Sequence, residues 1–63
     1  MSDVEKLKEE IKKTEQILAE SMKNLEENPE EYSAQLLVMS TENHLSDLLK
    51  KLDIIMMQQN LNE

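Results

Sequence analysis

The sequence predicts an all-α fold: an antiparallel hairpin of two helices that assembles into a four-helix bundle or packs on a helical partner. Apolar residues recur at alternating spacings of three and four through both halves of the chain, which is the pattern of a coiled-coil seam. The only proline follows Asn28, and glycine is absent. A chain of 63 residues makes one domain at most. Since Asn28-Pro29 divides it, we expect helix 1 over about 3–27, a turn over about 27–29 and helix 2 over about 29–60.

Helix 1 begins with a recognisable capping sequence. Ser2 stands three residues before Glu5, which is the spacing of a capping box, and Asp3 adds a negative charge favoured in a first turn. The apolar seam that follows is interrupted by two hydroxyl residues. It is formed by Val4, Leu7, Ile11, Thr14, Leu18, Ser21 and Leu25, and Ile17 and Met22 widen it.

Helix 2 is expected to begin at Pro29, since proline fits the first position of a helix. Asn28 can then cap helix 2, with Glu31 as its reciprocal partner, and it can also end helix 1 in a left-handed conformation. The seam of helix 2 is Ala34, Val38, Thr41, Leu45, Leu48, Leu52 and Ile55, broadened by Tyr32, Leu36, Leu37, Met39, Leu49 and Met56. One neighbouring helix cannot cover so wide a stripe.

A short turn predicts that residues facing each other across the hairpin have numbers that add to roughly 57. The expected pairs are Leu25 with Tyr32, Leu18 with Met39, Ile11 with Leu45, and Val4 with Leu52, and Thr14 is expected opposite Thr41 and Asn43. In this register helix 1 ends before helix 2 does, which leaves about two turns of helix 2 uncovered beyond Leu52.

The uncovered end of helix 2 is the main functional signal in the sequence. Large exposed apolar patches usually mark interfaces, so we expect a homo-oligomer such as a four-helix dimer, or a partner protein that covers this surface. Methionine is common at binding surfaces that adapt to a partner. The residues predicted to bind are Leu45, Leu48, Leu49, Leu52, Ile54, Ile55, Met56, Met57 and Leu61.

Composition argues against several other functions. The chain has no cysteine for thiolate metal sites and no glycine for a phosphate-binding loop, and His44 is its only histidine, so we expect no catalytic, cofactor or metal site. A formal charge of −7 disfavours direct binding to nucleic acids and to anionic membranes. No apolar run could span a membrane and no secretory signal is evident, which favours the cytoplasm.

Four glutamates, Glu26, Glu27, Glu30 and Glu31, crowd the turn. They can form an ordinary solvated loop with charges that suit the start of helix 2. Alternatively they can bind a basic partner, which would make the chain an acidic regulatory inhibitor such as an anti-repressor or nucleic-acid mimic. A purely structural homodimer is the third possibility.

The second half of the chain resembles a family of protein-binding hairpins. Glu31-Tyr32 after the polar turn and the pair Ile54-Ile55 late in helix 2 are similar to features of the small co-chaperones of type III secretion needle subunits (YscE-like), although Ile54-Ile55 lies several residues further along than in that family. The resemblance implies a cytoplasmic hairpin that pairs with a larger helical-repeat chaperone and keeps a needle subunit from polymerising.

Overall fold

Two helices make up the fold. The computed structural model describes the backbone of residues 2–61 and the side-chain surroundings of residues 2–59. Helix α1 spans Asp3–Glu27 and helix α2 spans Tyr32–Leu61. They pack against each other along their length in a body of 50 × 18 × 12 Å. The predicted all-α hairpin is therefore confirmed.

Helix α1 begins at the predicted cap. The Ser2 Oγ atom accepts a hydrogen bond from the backbone N–H of Glu5 at 3.2 Å, which satisfies one of the amide groups left free at a helix start. Asp3 and Glu5 place negative charge in the first turn, where the helix dipole favours it. The predicted bounds of helix 1 agree with those of α1.

The connection differs from the prediction at Asn28. Its backbone N–H donates to the carbonyl oxygens of Asn24 and Leu25, at 2.9 and 3.2 Å, so Asn28 closes α1. Its φ of −134° and ψ of 65° are not left-handed, and no described residue has a positive φ. The expected left-handed conformation of Asn28 was wrong. The backbone hydrogen bonds of Asn28, together with those that its side-chain amide group donates to Asn24, end the helix without that conformation.

Helix α2 begins three residues later than predicted. The Glu31 N–H donates to the Asn28 carbonyl oxygen at 3.1 Å, which closes a four-residue turn with Pro29 in its second position, where proline is favoured. The Glu31 carbonyl oxygen then accepts from the Gln35 N–H at 3.2 Å as the chain enters α2. Asn28 therefore does not cap α2, and Pro29 belongs to the turn.

Replacing Asn28 with glycine is expected to lower the free energy of unfolding by about 0.5–1 kcal/mol. Glycine relieves no strain at a negative φ, it gives the unfolded chain more freedom, and it removes the side-chain bonds to Asn24. Urea denaturation followed by circular dichroism measures the change, and Asn28→Ala separates the loss of side-chain bonds from the backbone effect. If the glycine variant were more stable than the wild-type chain, the negative φ of Asn28 would be contradicted.

The predicted seam forms the contact between the helices. All seven seam positions of each helix are buried or half-buried, whereas the residues that broaden the seam are exposed. Leu48, 2% exposed, is the most buried apolar side chain among the described residues and clusters with Leu7 and Ile11. The half-buried side chains of Leu45, Leu52 and Ile55 pack against this cluster.

The register of the two seams differs from the prediction by two residues. Taken in order, facing seam positions have numbers that add to 59, as do the last residue of α1 and the first of α2. This sum is two higher than the expected value of roughly 57, because the connection runs from Asn28 to Glu31 and is longer than predicted. A sum of 59 pairs Leu25 with Ala34, Leu18 with Thr41, Ile11 with Leu48, and Val4 with Ile55, and the cluster that contains both Ile11 and Leu48 agrees with it.

Three residues that were expected to face α1 lie outside the core. Tyr32 is 70% exposed and Met39 is 59% exposed, so they do not pack against Leu25 and Leu18 as predicted. Asn43 is exposed as well and takes no part in a layer with Thr14. All three lie on the side of α2 that points away from α1.

The core has two unlike halves. The half near the chain ends contains the aliphatic cluster around Leu48. The half near the turn buries Val38 together with small or hydroxyl side chains at Ser21, Ala34 and Thr41. At their border and beyond, the hydroxyls of Thr14, Ser21 and Thr41 donate to backbone carbonyl oxygens four residues earlier, at 2.7–2.8 Å. No buried side-chain N or O atom among the described residues lacks a partner, so these hydroxyls are satisfied within their own helices.

Candidate protein-binding surface

The structure divides the predicted partner-binding residues into two groups. Leu45, Leu48, Leu52 and Ile55 lie between the helices, where they contact the chain's own α1. Ile55 was expected on the uncovered end of helix 2, but the corrected register places it against the core cluster. While the hairpin is closed, these four side chains stabilise the fold and are largely inaccessible to a partner.

The second group is exposed. Ile54 and Met57 are 55% and 60% exposed, and Leu49 and Met56 are about half exposed. At 100° per residue, Ile54 and Met57 lie on the side of α2 away from α1, and Leu49 and Met56 lie beside the seam. The turn of α2 formed by residues 54–57 is therefore apolar on every side, although α1 covers one side only. Leu61 ends α2, and its side chain lies outside the described residues.

A further apolar patch at the start of α2 was missed from the sequence. Tyr32, Leu36 and Met39 are all exposed and have the i, i+4, i+7 spacing of one helix face. The sequence does contain this signal, because the three residues fall between the seam positions. The sequence predicts that these residues broaden the stripe of helix 2, with Tyr32 and Met39 facing α1, and it does not set them apart as a separate patch.

One side of the hairpin carries an apolar groove beside the seam. Met22 and Leu25 of α1 line it together with Val38 of α2. Leu49 is three turns beyond Val38 and Met56 is two turns further, so both lie on this side of α2. We call this side the flank face; its exposed apolar residues are Met22, Leu49 and Met56.

The opposite side of the hairpin is more polar. A shallow groove there is lined by Thr14 and Ile17 of α1 and by Ser40, Thr41 and His44 of α2. His44 is exposed at its rim. Among the described residues, no three His, Asp or Glu side chains are grouped as a metal site would require.

Charge is distributed unevenly along the hairpin, which was not apparent from counting each helix separately. The turn end, residues 15–45, contains seven acidic side chains and one lysine. The open end, residues 3–14 and 46–61, contains six acidic side chains and six lysines. The fold brings Lys50 and Lys51 to the end that also carries the lysines of early α1. One end of the molecule is thus strongly acidic and the other is balanced.

No helix in the described part of the chain is long and apolar enough to cross a membrane. Comparisons with models of protein families, with curated proteins and with solved structures found no match to this chain.

Proposed function

We propose that this protein is a non-catalytic, cytoplasmic protein-binding hairpin, and that it binds a helical partner through the α2 patch, defined as Leu49, Ile54, Met56 and Met57. One observation supports this most directly. All four large apolar side chains are about half exposed or more, while the seam of the same helix is already occupied by α1.

The energetics of the patch favour binding. Fully burying a side chain of this size is worth about 1.5–3 kcal/mol, so covering the remaining exposed half of each is worth about 1 kcal/mol. Four such side chains together supply several kcal/mol before the costs of association are subtracted. A partner groove that accepts one face of a helix reads residues spaced as Ile54 and Met57 are, at i and i+3.

The resemblance to type III secretion co-chaperones is consistent with this mode of action. It implies a larger helical-repeat chaperone as the partner and a needle subunit as the protected protein. The exposed patch near Ile54 is the surface through which such a chaperone would be bound.

The acidic turn end supports a second candidate, an inhibitor that binds a basic protein. Residues 15–45 contain seven acidic side chains and one lysine, so the negative charge is concentrated at one end of the hairpin. Binding through this end should weaken steeply as salt rises, whereas binding through the α2 patch should persist. Affinity at 50 mM and 500 mM NaCl distinguishes the two.

Replacing Ile54 with aspartate is expected to weaken partner binding by tenfold or more, since a charge would be buried in an apolar contact. The partner is first identified by co-purification from the native host, then purified and titrated by isothermal calorimetry. Gln16→Asp is the matched control, because it adds the same charge at an exposed site on α1. Equal affinity of Ile54→Asp and the wild-type chain would contradict the role of the patch.

A further inference from the structure

We propose that the flank face is occupied by a second copy of this chain, and that charge orients the two hairpins antiparallel in a four-helix dimer. The turn end of each copy then lies beside the open end of the other. This inference rests on the proposed function, since it names one protein that binds the apolar side of α2. The dimer would bury Leu49 and Met56 of the α2 patch and leave its outward residues, Ile54 and Met57, exposed to the other partner.

The hairpin alone exposes more surface than a compact protein of its mass. Its accessible area is 5207 Å², whereas a folded monomer of 7.4 kDa is expected to expose about 4200 Å². A stable interface buries about 800 Å² of accessible surface on each partner, which is similar to the difference between these two areas. The broad face, 50 Å by 18 Å, is large enough to provide that area.

The interior of a single hairpin is also incomplete. No described side chain is less than 2% exposed, because two helices have only one layer of contacts between them. Leu45 and Leu52 are half-buried in that layer, and the exposed Leu49 and Met56 continue it on the flank face. A second hairpin packed on this face would bury the edge of the seam at the centre of a four-helix bundle.

Charge favours the antiparallel arrangement. A parallel dimer would bring two turn ends together, each with seven acidic side chains and one lysine. An antiparallel dimer places each acidic end beside an open end with six lysines and six acidic side chains. Like charges held close across an interface are unfavourable, so the parallel form is disfavoured.

Sedimentation equilibrium tests the association. The wild-type chain at 10–200 µM is expected to have twice its 7.4 kDa mass. Leu49→Asp, on the flank face, should raise the dimer dissociation constant tenfold or more. Leu36→Asp makes the same change on the outer side of α2 and should alter it less than threefold, provided that circular dichroism shows both variants to be helical.

Distance measurement between spin labels tests the orientation on a chain that keeps its whole interface. The chain has no cysteine, so Glu30→Cys gives one label per copy, at the turn. In the antiparallel dimer the two labels are expected about 40 Å apart, given the length of α1, and in a parallel dimer about 20 Å or less.

Each outcome decides the inference. The inference is supported if the wild-type chain has twice its monomer mass, the label distance is the long one, and Leu49→Asp weakens the dimer. A folded monomer, a larger assembly, a short label distance, or a dimer weakened by Leu36→Asp but not by Leu49→Asp overturns it. If the Leu49→Asp variant unfolds, the mass of the wild-type chain still tests the dimer and the label distance still tests its orientation. A monomer that binds a partner through Ile54 would overturn the dimer and leave the proposed function standing.

Discussion

Replacing Leu48 with alanine is expected to lower the free energy of unfolding by about 2–5 kcal/mol, the largest loss among the substitutions considered. Leu48 is 2% exposed and lies between Leu7 and Ile11, at the centre of the aliphatic half of the core. Small domains have little stability to spare, so much of the variant should be unfolded at 25 °C. Urea denaturation at one fixed protein concentration measures the effect, because association contributes to apparent stability.

Leu36→Ala is the matched control for this experiment. Leu36 is 45% exposed on the outer side of α2, so its truncation is expected to change the free energy of unfolding by about 0.5 kcal/mol or less. Equal losses for Leu48→Ala and Leu36→Ala would mean that the aliphatic cluster does not hold the hairpin together.

Replacing both Thr14 and Thr41 with isoleucine is expected to raise the free energy of unfolding by about 1–2 kcal/mol. Both hydroxyls bond only to carbonyl oxygens of their own helices, and both side chains line the same groove, which has room for added methyl groups. The change should therefore add buried apolar area without leaving a polar group unpaired. Thermal and urea unfolding measure the gain.

Ser40→Ile serves as the control for the threonine replacements. Ser40 is exposed next to Thr41, and its hydroxyl donates to the same carbonyl oxygen, that of Leu37, at 3.2 Å. A gain in the double variant without a gain in Ser40→Ile would assign the effect to burial. Loss of stability in the double variant would contradict it. A change in oligomeric mass would indicate that the threonines also help to select the assembly state, as polar residues in a helix seam can.

Much of the fold could be predicted from the sequence because its signals are local and agree with one another. The alternating three and four spacing identifies the positions that become buried, and Ser2 caps α1 as its spacing from Glu5 indicates. The start of α2 could not be predicted as readily. Pro29 is compatible with both the first position of a helix and the second position of a turn, and the Glu31 bond to Asn28 decides between them.

The errors in the candidate surface lie mostly in the expected pairing of the helices. The expected pairs set Tyr32 and Met39 against α1, although both lie off the seam, and left Ile55 without a facing residue. The structure exposes Tyr32 and Met39 and packs Ile55 against the core cluster. The surface charge was missed for a different reason. Acidic residues are spread evenly along the chain, and the uneven distribution of lysines emerges only when the hairpin places Lys50 and Lys51 beside the start of α1.

The unlike halves of the core have an evolutionary consequence. Aliphatic side chains around Leu48 supply most of the cohesion at one end, whereas small and hydroxyl side chains near the turn contribute less and make no bond across the helices. Substitutions near the turn should therefore be tolerated more often than substitutions near Leu48. A lineage could diversify what the turn end recognises while inheriting the other end almost unchanged.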